Sequence, residues 1–448
     1  AVGDIFEAMS MPRDLLEVLL GIEGGDDRPA FRPRMGVVRH VPRMGRVGWR
    51  MARYHHELDR LMPQAQEELA RLESRDLGAM SDKGLVSHLN DVEAVVRKVA
   101  SANIVAPLLF NAYGAMLRRR LANRGVDAEA IDLGAGQAGL GEYDPTPQLR
   151  ELAAGLAQLD EDTRRRVRDG ELELVPGMDA FLARFGHVSD SGNDFSHQPW
   201  REDPSVLVPL LEASAPAAST GEGEALPDDL SRIDRGLAGR AARYRLERER
   251  VSYTYTRSYS QFRPAVLEIA RRLVERGILD DVEQVFCLTR QEMEDGLLHG
   301  RTALRELALT RRAEMERLAD VEMPEIIFGD EFEPAAPSDA EHRLQGTPSS
   351  RGVVRTTARV VSGIEEADRV APGEVVVIPY SDIGWTPMLA KAGAIVAESG
   401  GLLSHSSIVA REFGVPCVVS VPGAMRIPDG SIVRVDGYTG EIQWESAT

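Results

Sequence analysis

The residues best suited to do chemistry stand near the end of the chain, in the stretch Ala394–Val421, AIVAESGGLLSHSSIVAREFGVPCVVSV. His405 lies between Ser404 and Ser406, shortly after the pair Gly400-Gly401. The apolar, β-branched run Ala394–Ala397 predicts a short buried strand. The two glycines allow a sharp turn, or a close approach of backbone to a ligand. Ser404 has the side chain of an N-cap for a helix over Ser406–Phe413, with Ile408 and Val409 facing inward. Gly414 and Pro416 stop that helix, and Pro416–Val421 returns to strand character. His405 is thereby placed on a Gly-rich turn at the start of a helix.

That position suits phosphate chemistry. A helix N-terminus presents unpaired N–H groups and a partial positive charge, so it binds phosphate and disfavours imidazolium. Neutral imidazole is the nucleophilic form, and a phosphoryl group on it would be held by the same N–H groups. Gly400 and Gly401 would admit the phosphate, and Ser404 and Ser406 would add hydroxyl donors. On spacing alone a second reading stays open and is the commoner outcome: a histidine that hydrogen-bonds in a turn of an ordinary α/β layer.

The pattern GG-x-x-SH-x-x-IVARE-x-GVP-x-VV resembles the phosphohistidine swivelling domain of phosphoenolpyruvate-utilising enzymes. That family includes phosphoenolpyruvate synthase, pyruvate phosphate dikinase and rifampicin phosphotransferase. The resemblance implies that His405 is the phosphorylated histidine, and Gly400, Gly401, Ala410, Arg411, Glu412, Gly414 and Pro416 also match. Asp382, Trp385, Thr386 and Pro387 fit the helix ahead of this motif, and Asp429-Gly430 and Asp436-Gly437 fit the closing strands. The resemblance covers roughly the last hundred residues.

Composition bounds the rest. A chain of 448 residues suggests two or three domains. The 53 basic against 71 acidic residues give a net charge of −18, which argues against nucleic acid or an anionic membrane as partner. Cys287 and Cys417 are too few and too distant for a disulfide framework or a zinc site, and no metal site is expected. The longest nearly apolar run, Val105–Leu117, is too short to span a bilayer, and no signal peptide is visible. A soluble, cytoplasmic protein is expected. The chain begins at Ala1 rather than Met, which points to processing or truncation.

Taken in order, residues 1–328 read as a mainly α-helical region. Apolar residues recur at helical spacing in Pro12–Leu20, in Val47–Glu73 and from Ser81 to Asn123, where Ser81-Asp82 form a cap. Ile104–Met116 is apolar on nearly all sides, as in a helix buried within a bundle. An apolar ligand pocket lined by Leu108, Phe110, Tyr113 and Met116 is the alternative. The Gly-rich stretch 132–144 lacks the strand and helix of a dinucleotide loop and reads as surface. Short helices follow at Pro147–Gln158 and Met178–Phe185. Residues 213–228 are small and polar, a flexible loop, and a long helical pattern runs from Leu230 to Glu275. Residues 329–351, rich in Pro, Ser and Asp, read as a linker. Such a linker reaches ~25 Å as a coil and roughly 65 Å when extended. From 352 to 448, strand-like runs alternate with helices, giving a compact α/β layered domain.

Residues 185–204, FGHVSDSGNDFSHQPWREDP, are dense in His, Asp, Ser and Asn and lack periodicity, which suits a functional loop. His187 and Asp194 are candidates for activating an acceptor hydroxyl, since a histidine with a carboxylate partner can take the proton as phosphoryl arrives; a structural loop is the equal alternative. The stretch resembles a loop of rifampicin-phosphotransferase-like proteins, matching at Gly186, His187, Asp194, Trp200, Glu202 and Pro204. Val188 stands where that family commonly has Arg, and Gly192 where it has Glu. Arg248-Glu249 and the aromatic residues after them resemble the segment ahead of the swivelling domain, which implies a strand at Val285–Leu288. Tyr253, Tyr255 and Tyr259 are core or pocket wall. Arg248, Arg257 and Arg263 are candidates to meet phosphate, with a solvated charged face as the default.

No Gly-rich loop with basic residues for nucleotide phosphates is evident, so no cofactor is expected in this chain. The resemblance implies that Mg-ATP acts at an ATP-grasp domain or subunit, which would charge His405. A small-molecule acceptor hydroxyl would be bound by residues 1–328. The alternative from another class is a non-catalytic phosphocarrier or regulatory docking partner of an ATP-grasp protein. A closed apolar cavity facing His405 would favour the enzyme, and a filled helical core the docking module.

Overall fold

The computed structural model describes residues 49–51, 53–125, 142–213, 230–301, 303–318, 342–401 and 404–444. The readings of a helix at Pro12–Leu20, of the loops at 132–141 and 214–228, and of the linker between 329 and 341 fall outside these residues.

Helical apolar spacing builds the N-terminal region. Helix α1 spans Tyr54–Glu73 and α2 spans Asp82–Ala122. The hydroxyl of Ser81 caps α2 by accepting from the Gly84 N–H at 3.1 Å, as its sequence position predicts. Helices α3 (Thr146–Ala157), α4 (Glu161–Arg168), α5 (Met178–Phe185) and α6 (Leu207–Ala213) follow. The long pattern from Leu230 divides into α7 (Arg232–Tyr259) and α8 (Phe262–Glu275). Pro264 favours the break here, since its ring crowds the Ser260 carbonyl and it lacks an N–H, although α1 and α2 run on through Pro63 and Pro107. Helices α9 (Arg290–His299) and α10 (Leu304–Leu318) complete the region.

Helix α2 is its spine. Leu85 and Leu89 pack with Ile269, Leu273 and Leu297, whereas Leu109, Tyr113 and Leu117 pack with Leu58, Met62 and Tyr244. The Tyr113 and Tyr244 rings stack at 5.6 Å. Buried Asp234, at the start of α7, accepts from Arg120 at 2.5 Å and ties the two long helices together. Core packing therefore accounts for Tyr113, while Ile104 and Met116 stay exposed rather than fully enclosed. Among the described residues α2 is long and apolar enough to cross a membrane by length and composition, and the run Val105–Leu117 is one part of it. A bundle spine needs apolar residues on several faces for the same reason a spanning helix does.

The C-terminal region is one mixed sheet of eight strands: β1 (Arg343–Gln345), β2 (Thr347–Ser350), β3 (Val353–Val360), β4 (Val375–Ile378), β5 (Ala394–Ala397), β6 (Cys417–Val419), β7 (Ile432–Asp436) and β8 (Glu441–Trp444). Their order is β1-β8-β7-β3-β4-β5-β6-β2, with β3, β4, β5 and β6 parallel. Val375 and Val377 enter the core on one face, and Val376 and Ile378 the core on the other. Burial on both faces is why these strands read as continuous apolar runs. Short α11 (Thr386–Leu389) joins β4 to β5, and α12 (His405–Phe413) joins β5 to β6.

Two expectations change here. Residues 343–350, assigned by composition to the linker, form the edge strands β1 and β2, paired with β8 and β6 from far along the chain. The strand implied at Val285–Leu288 is instead a 3₁₀ turn over Val282–Cys287, capped by the Asp281 carboxylate at the Gln284 N–H.

The sheet closes tightly at Gly437, where a Cβ would stand 2.0 Å from the Ser350 carbonyl oxygen. Gly437→Ala is therefore expected to destabilise the domain by about 1–3 kcal/mol, read as a lower midpoint in thermal unfolding.

Candidate functional site

Parallel β4 and β5 end side by side, so the segments after them, 379–385 and 398–404, leave the sheet at one edge and frame α12. Gly400 turns at φ +141°, where a Cβ would lie 3.1 Å from the Ser404 Oγ, so the turn requires glycine. Ser404 is the N-cap of α12: its Oγ accepts from the Ser407 N–H at 3.4 Å. The Ser381 hydroxyl accepts from the Ser406 N–H at 2.8 Å. The Ser406 side chain is fully buried, 3.1 Å from the Ser404 hydroxyl, so it shapes the turn from inside rather than pointing outward. Half-buried His405 stands at the helix start, its Nε2 2.6 Å from the Thr386 Oγ1. Gly400, Gly401, Ser404 and Ser406 thus gather around His405, joined by Ser381 and Thr386. Thr386 was read only as part of a helix pattern, and Ser381 carried no signal of its own.

The loop 185–204 is closed at its base, with the Trp200 N–H donating to Val188 O at 2.8 Å and the Arg201 N–H to Gly186 O at 2.9 Å. Trp200 is buried and stacks on Phe181 at 5.8 Å. Buried Arg263 pins the middle by donating to Glu202 at 2.7 Å and to the carbonyls of Phe195 and Ser196 at 3.2 and 2.7 Å. Arg257 pairs with Glu73 at 2.6 Å, and Arg248 donates to Glu249 at 2.8 Å. Each of the three arginines singled out for phosphate has a carboxylate partner.

This loop lies against the segment that holds His405. The Trp385 Nε1–H donates to the Asp190 carbonyl at 3.0 Å, and the Gly192 N–H donates to the Asp382 carboxylate at 2.9 Å. A Cβ on Gly192 would meet Thr256 at 2.7 Å, and one on Gly384 would meet the Ser189 carbonyl at 2.7 Å. A glutamate at 192 has no room beside this contact, which gives the departure at Gly192 a physical reason. Val188 is buried in the shared core, where the arginine common in that loop would be desolvated without a place for its charge.

His187 and Asp194 are not brought together as the sequence suggests. His187 is buried edge-on against Tyr253 at 4.9 Å, and neither ring nitrogen has a hydrogen-bond partner. Burial, with Arg201 and Arg257 nearby, pushes its pKa down to about 3. Asp194 accepts from its neighbour Ser196, at 2.9 Å from the N–H and 2.6 Å from the hydroxyl. The histidine beside Asp194 is His197, whose Nδ1 lies 2.6 Å from the Asp190 carboxylate and whose Nε2 lies 3.7 Å from Asp194. Its spacing of three residues from Asp194 was the available signal. His197 and Asp194 line a cleft with Ser189, Ser191, Gly192 and Tyr259. The cleft is polar, unlike the closed apolar cavity expected of an acceptor site.

The neutral burial of His187 sets a pH dependence. An unfolded histidine takes up a proton below about 6.5, and the folded one resists until about 3. Its contribution to stability is therefore present above pH 6.5 and lost as pH falls toward 3. His187→Phe is expected to spare about 3 kcal/mol of the stability that the unmodified chain loses between pH 7 and pH 4, measured by urea midpoints.

Comparison with known proteins places residues 370–440 in the family described as PEP-utilising enzyme, mobile domain. The match spans β5, the glycine pair and α12. The chain is 34% identical to an uncharacterised protein of Mycobacterium tuberculosis over 268 residues, 59% of this chain and 30% of the relative. It is 30% identical to the rifampicin phosphotransferase of Streptomyces sviceus over 328 residues, 67% of this chain and 38% of the relative. It is 27% identical to that of Bacillus cereus over 328 residues, 65% of this chain and 37% of the relative. The chain thus spans 30% to 38% of the length of these relatives. Its C-terminal domain is a mobile domain of phosphoenolpyruvate-utilising enzymes, on a chain related to phosphotransferases.

Proposed function

We propose that this chain is a phosphotransferase component that carries a phosphoryl group on His405 to the hydroxyl of a small acceptor bound at the cleft of loop 185–204. The phosphoryl group comes from Mg·ATP at an ATP-grasp domain, on a separate chain or in a longer protein. In the first half of the cycle the P–O bond between the phosphoryl group and its nucleotide leaving group breaks as a P–N bond forms at His405, whose ring proton passes to solvent. In the second that bond breaks, a P–O bond forms to the acceptor, and the acceptor proton leaves. Most of the catalysis is positioning and charge stabilisation, since the phosphoryl group brings its own reactivity.

The observation that carries this reading is a shared support. Segment 381–386 touches α12 through Ser381 and Thr386, and touches the cleft loop through Asp382 and Trp385. One short segment therefore fixes the carrier histidine relative to the cleft. This contact supports a carrier docked beside the cleft, whereas the filled helical core and the lack, among the described residues, of a closed apolar cavity facing His405 count for the docking-module alternative.

The test is intact-mass analysis of the chain with Mg·ATP, alone and with a candidate ATP-grasp partner. An acid-labile phosphate on His405 that appears with the partner supports the proposal. A chain that gains no phosphate under either condition, or gains it elsewhere than His405, overturns it.

A further inference from the structure

The cleft contains a second histidine that the phosphocarrier role of His405 leaves unused. His197 is half-buried, with its two ring nitrogens in different settings. Nδ1 is 2.6 Å from Asp190 Oδ1, an ion-pair contact that holds this side of the ring against a carboxylate and favours the neutral tautomer with its proton on Nδ1. Nε2 is 3.7 Å from Asp194 Oδ2, too far for a hydrogen bond. An oxygen placed ~2.8 Å from both Nε2 and Asp194 fits at the apex of a triangle on that base. Asp190 also accepts the Trp385 indole through its backbone carbonyl, so the residue that orients His197 is tied directly to the segment bearing Thr386, the neighbour of His405.

We infer that His197, positioned by Asp190, is the proton acceptor for the hydroxyl that receives the phosphoryl group, and that Asp194 orients that hydroxyl. The assignment rests on the phosphotransfer reading above. In the step, the acceptor oxygen forms a bond to phosphorus while the P–N bond to His405 breaks and its electron pair returns to the imidazole, which takes up a proton from solvent. The acceptor proton passes to His197 Nε2, and the imidazolium formed is stabilised by the Asp190 carboxylate. His197 later releases the proton to water. Asp194 is itself held in place by accepting from the N–H and hydroxyl of Ser196 through Oδ1, which leaves Oδ2 to orient the hydroxyl.

The electrostatics agree. The Asp190 carboxylate as acceptor for the ring N–H, with the charges of Asp190 and Asp194, raises the proton affinity of His197 against the opposing effects of burial and Arg263. Across the contact, Tyr380 of the C-terminal domain lies near the same carboxylates, and burial together with Asp190, Asp194 and Asp382 pushes its phenol up. His197 is a base only when neutral. Transfer is therefore expected to rise with pH through a midpoint above the ordinary histidine value and then level off.

The experiment loads the full chain chemically on His405 with phosphoramidate and follows loss of the added mass to water and to glycerol between pH 5.5 and pH 9. His197→Gln is expected to load normally but to transfer about 100-fold more slowly, with the pH inflection gone. Asp190→Asn is expected to load normally and to move the inflection to lower pH. An unchanged rate and profile in His197→Gln overturns the assignment. If the unsubstituted chain takes no phosphate on His405, the carrier reading fails and this one falls with it, an outcome distinct from normal loading with unaltered transfer. A second measurement needs no loading: the imidazole of His197, assigned in NMR spectra by its absence from His197→Gln, should titrate at lower pH in Asp190→Asn. An unmoved midpoint also overturns the assignment.

Discussion

Replacing His405 with alanine is expected to remove all acid-labile phosphate from the chain under conditions that phosphorylate the unsubstituted protein. The effect is one of chemistry rather than folding. Helix α12 keeps its cap, because Ser404 supplies the hydroxyl that accepts from Ser407, and Ser406 keeps its N–H bond to Ser381. His405 is half-buried and its ring nitrogen meets the Thr386 hydroxyl, so the alanine variant should unfold within about 1 kcal/mol of the parent. Loss of label at unchanged stability is the expected pair of results, read by intact mass and thermal unfolding. Retention of label would place the phosphoryl group on another residue.

Trp385→Ala carries the second large effect, on the contact between the two regions. The indole is fully buried, packs near Tyr380 at 5.9 Å and donates to the Asp190 carbonyl. Truncating it leaves a cavity and an unpaired buried carbonyl, which together cost about 3–5 kcal/mol. Trp385→Phe keeps most of the apolar area and loses the N–H, so it should cost about 1–3 kcal/mol. Chemical denaturation ranks the two variants, and limited proteolysis shows whether the mobile domain separates first. Equal stability in all three proteins would mean that the indole contributes nothing to the contact.

How far sequence reasoning reached depended on how local each cause was. The limits of β5 and α12 were readable because burial writes a continuous apolar run into the strand, and because Ser404 and Gly414 mark helix ends wherever they stand. Pro264, which favours the break between α7 and α8, is equally local, but a continuous amphipathic pattern on both sides hid that break. Strands β1 and β2 were not readable. Their residues are polar or small, include Pro348, and become strands only by pairing with β8 and β6 from the far end of the domain. The cleft shows the same division. The density of His and Asp marks loop 185–204 as a candidate site. Which histidine meets a carboxylate was not readable, because burial of His187 against Tyr253 and exposure of His197 are set by helices elsewhere in the chain.

The core around Trp200 and Trp385 is shared. Phe185, Leu207 and Leu210 of the helical region belong to the same apolar cluster as Ile364, Met388 and Leu389 of the mobile domain. A carrier that travels between two stations must tear this seam open at every departure, and each large side chain wetted costs on the order of 2–5 kcal/mol. Such a seam works as a clock. It lengthens the dwell of the carrier at this station far beyond the time of chemistry, so weakening the seam would speed departure before it impaired transfer. Under the proposed function, the pace of the whole cycle is then written in the greasiness of one contact and not in the reactivity of any group at the cleft.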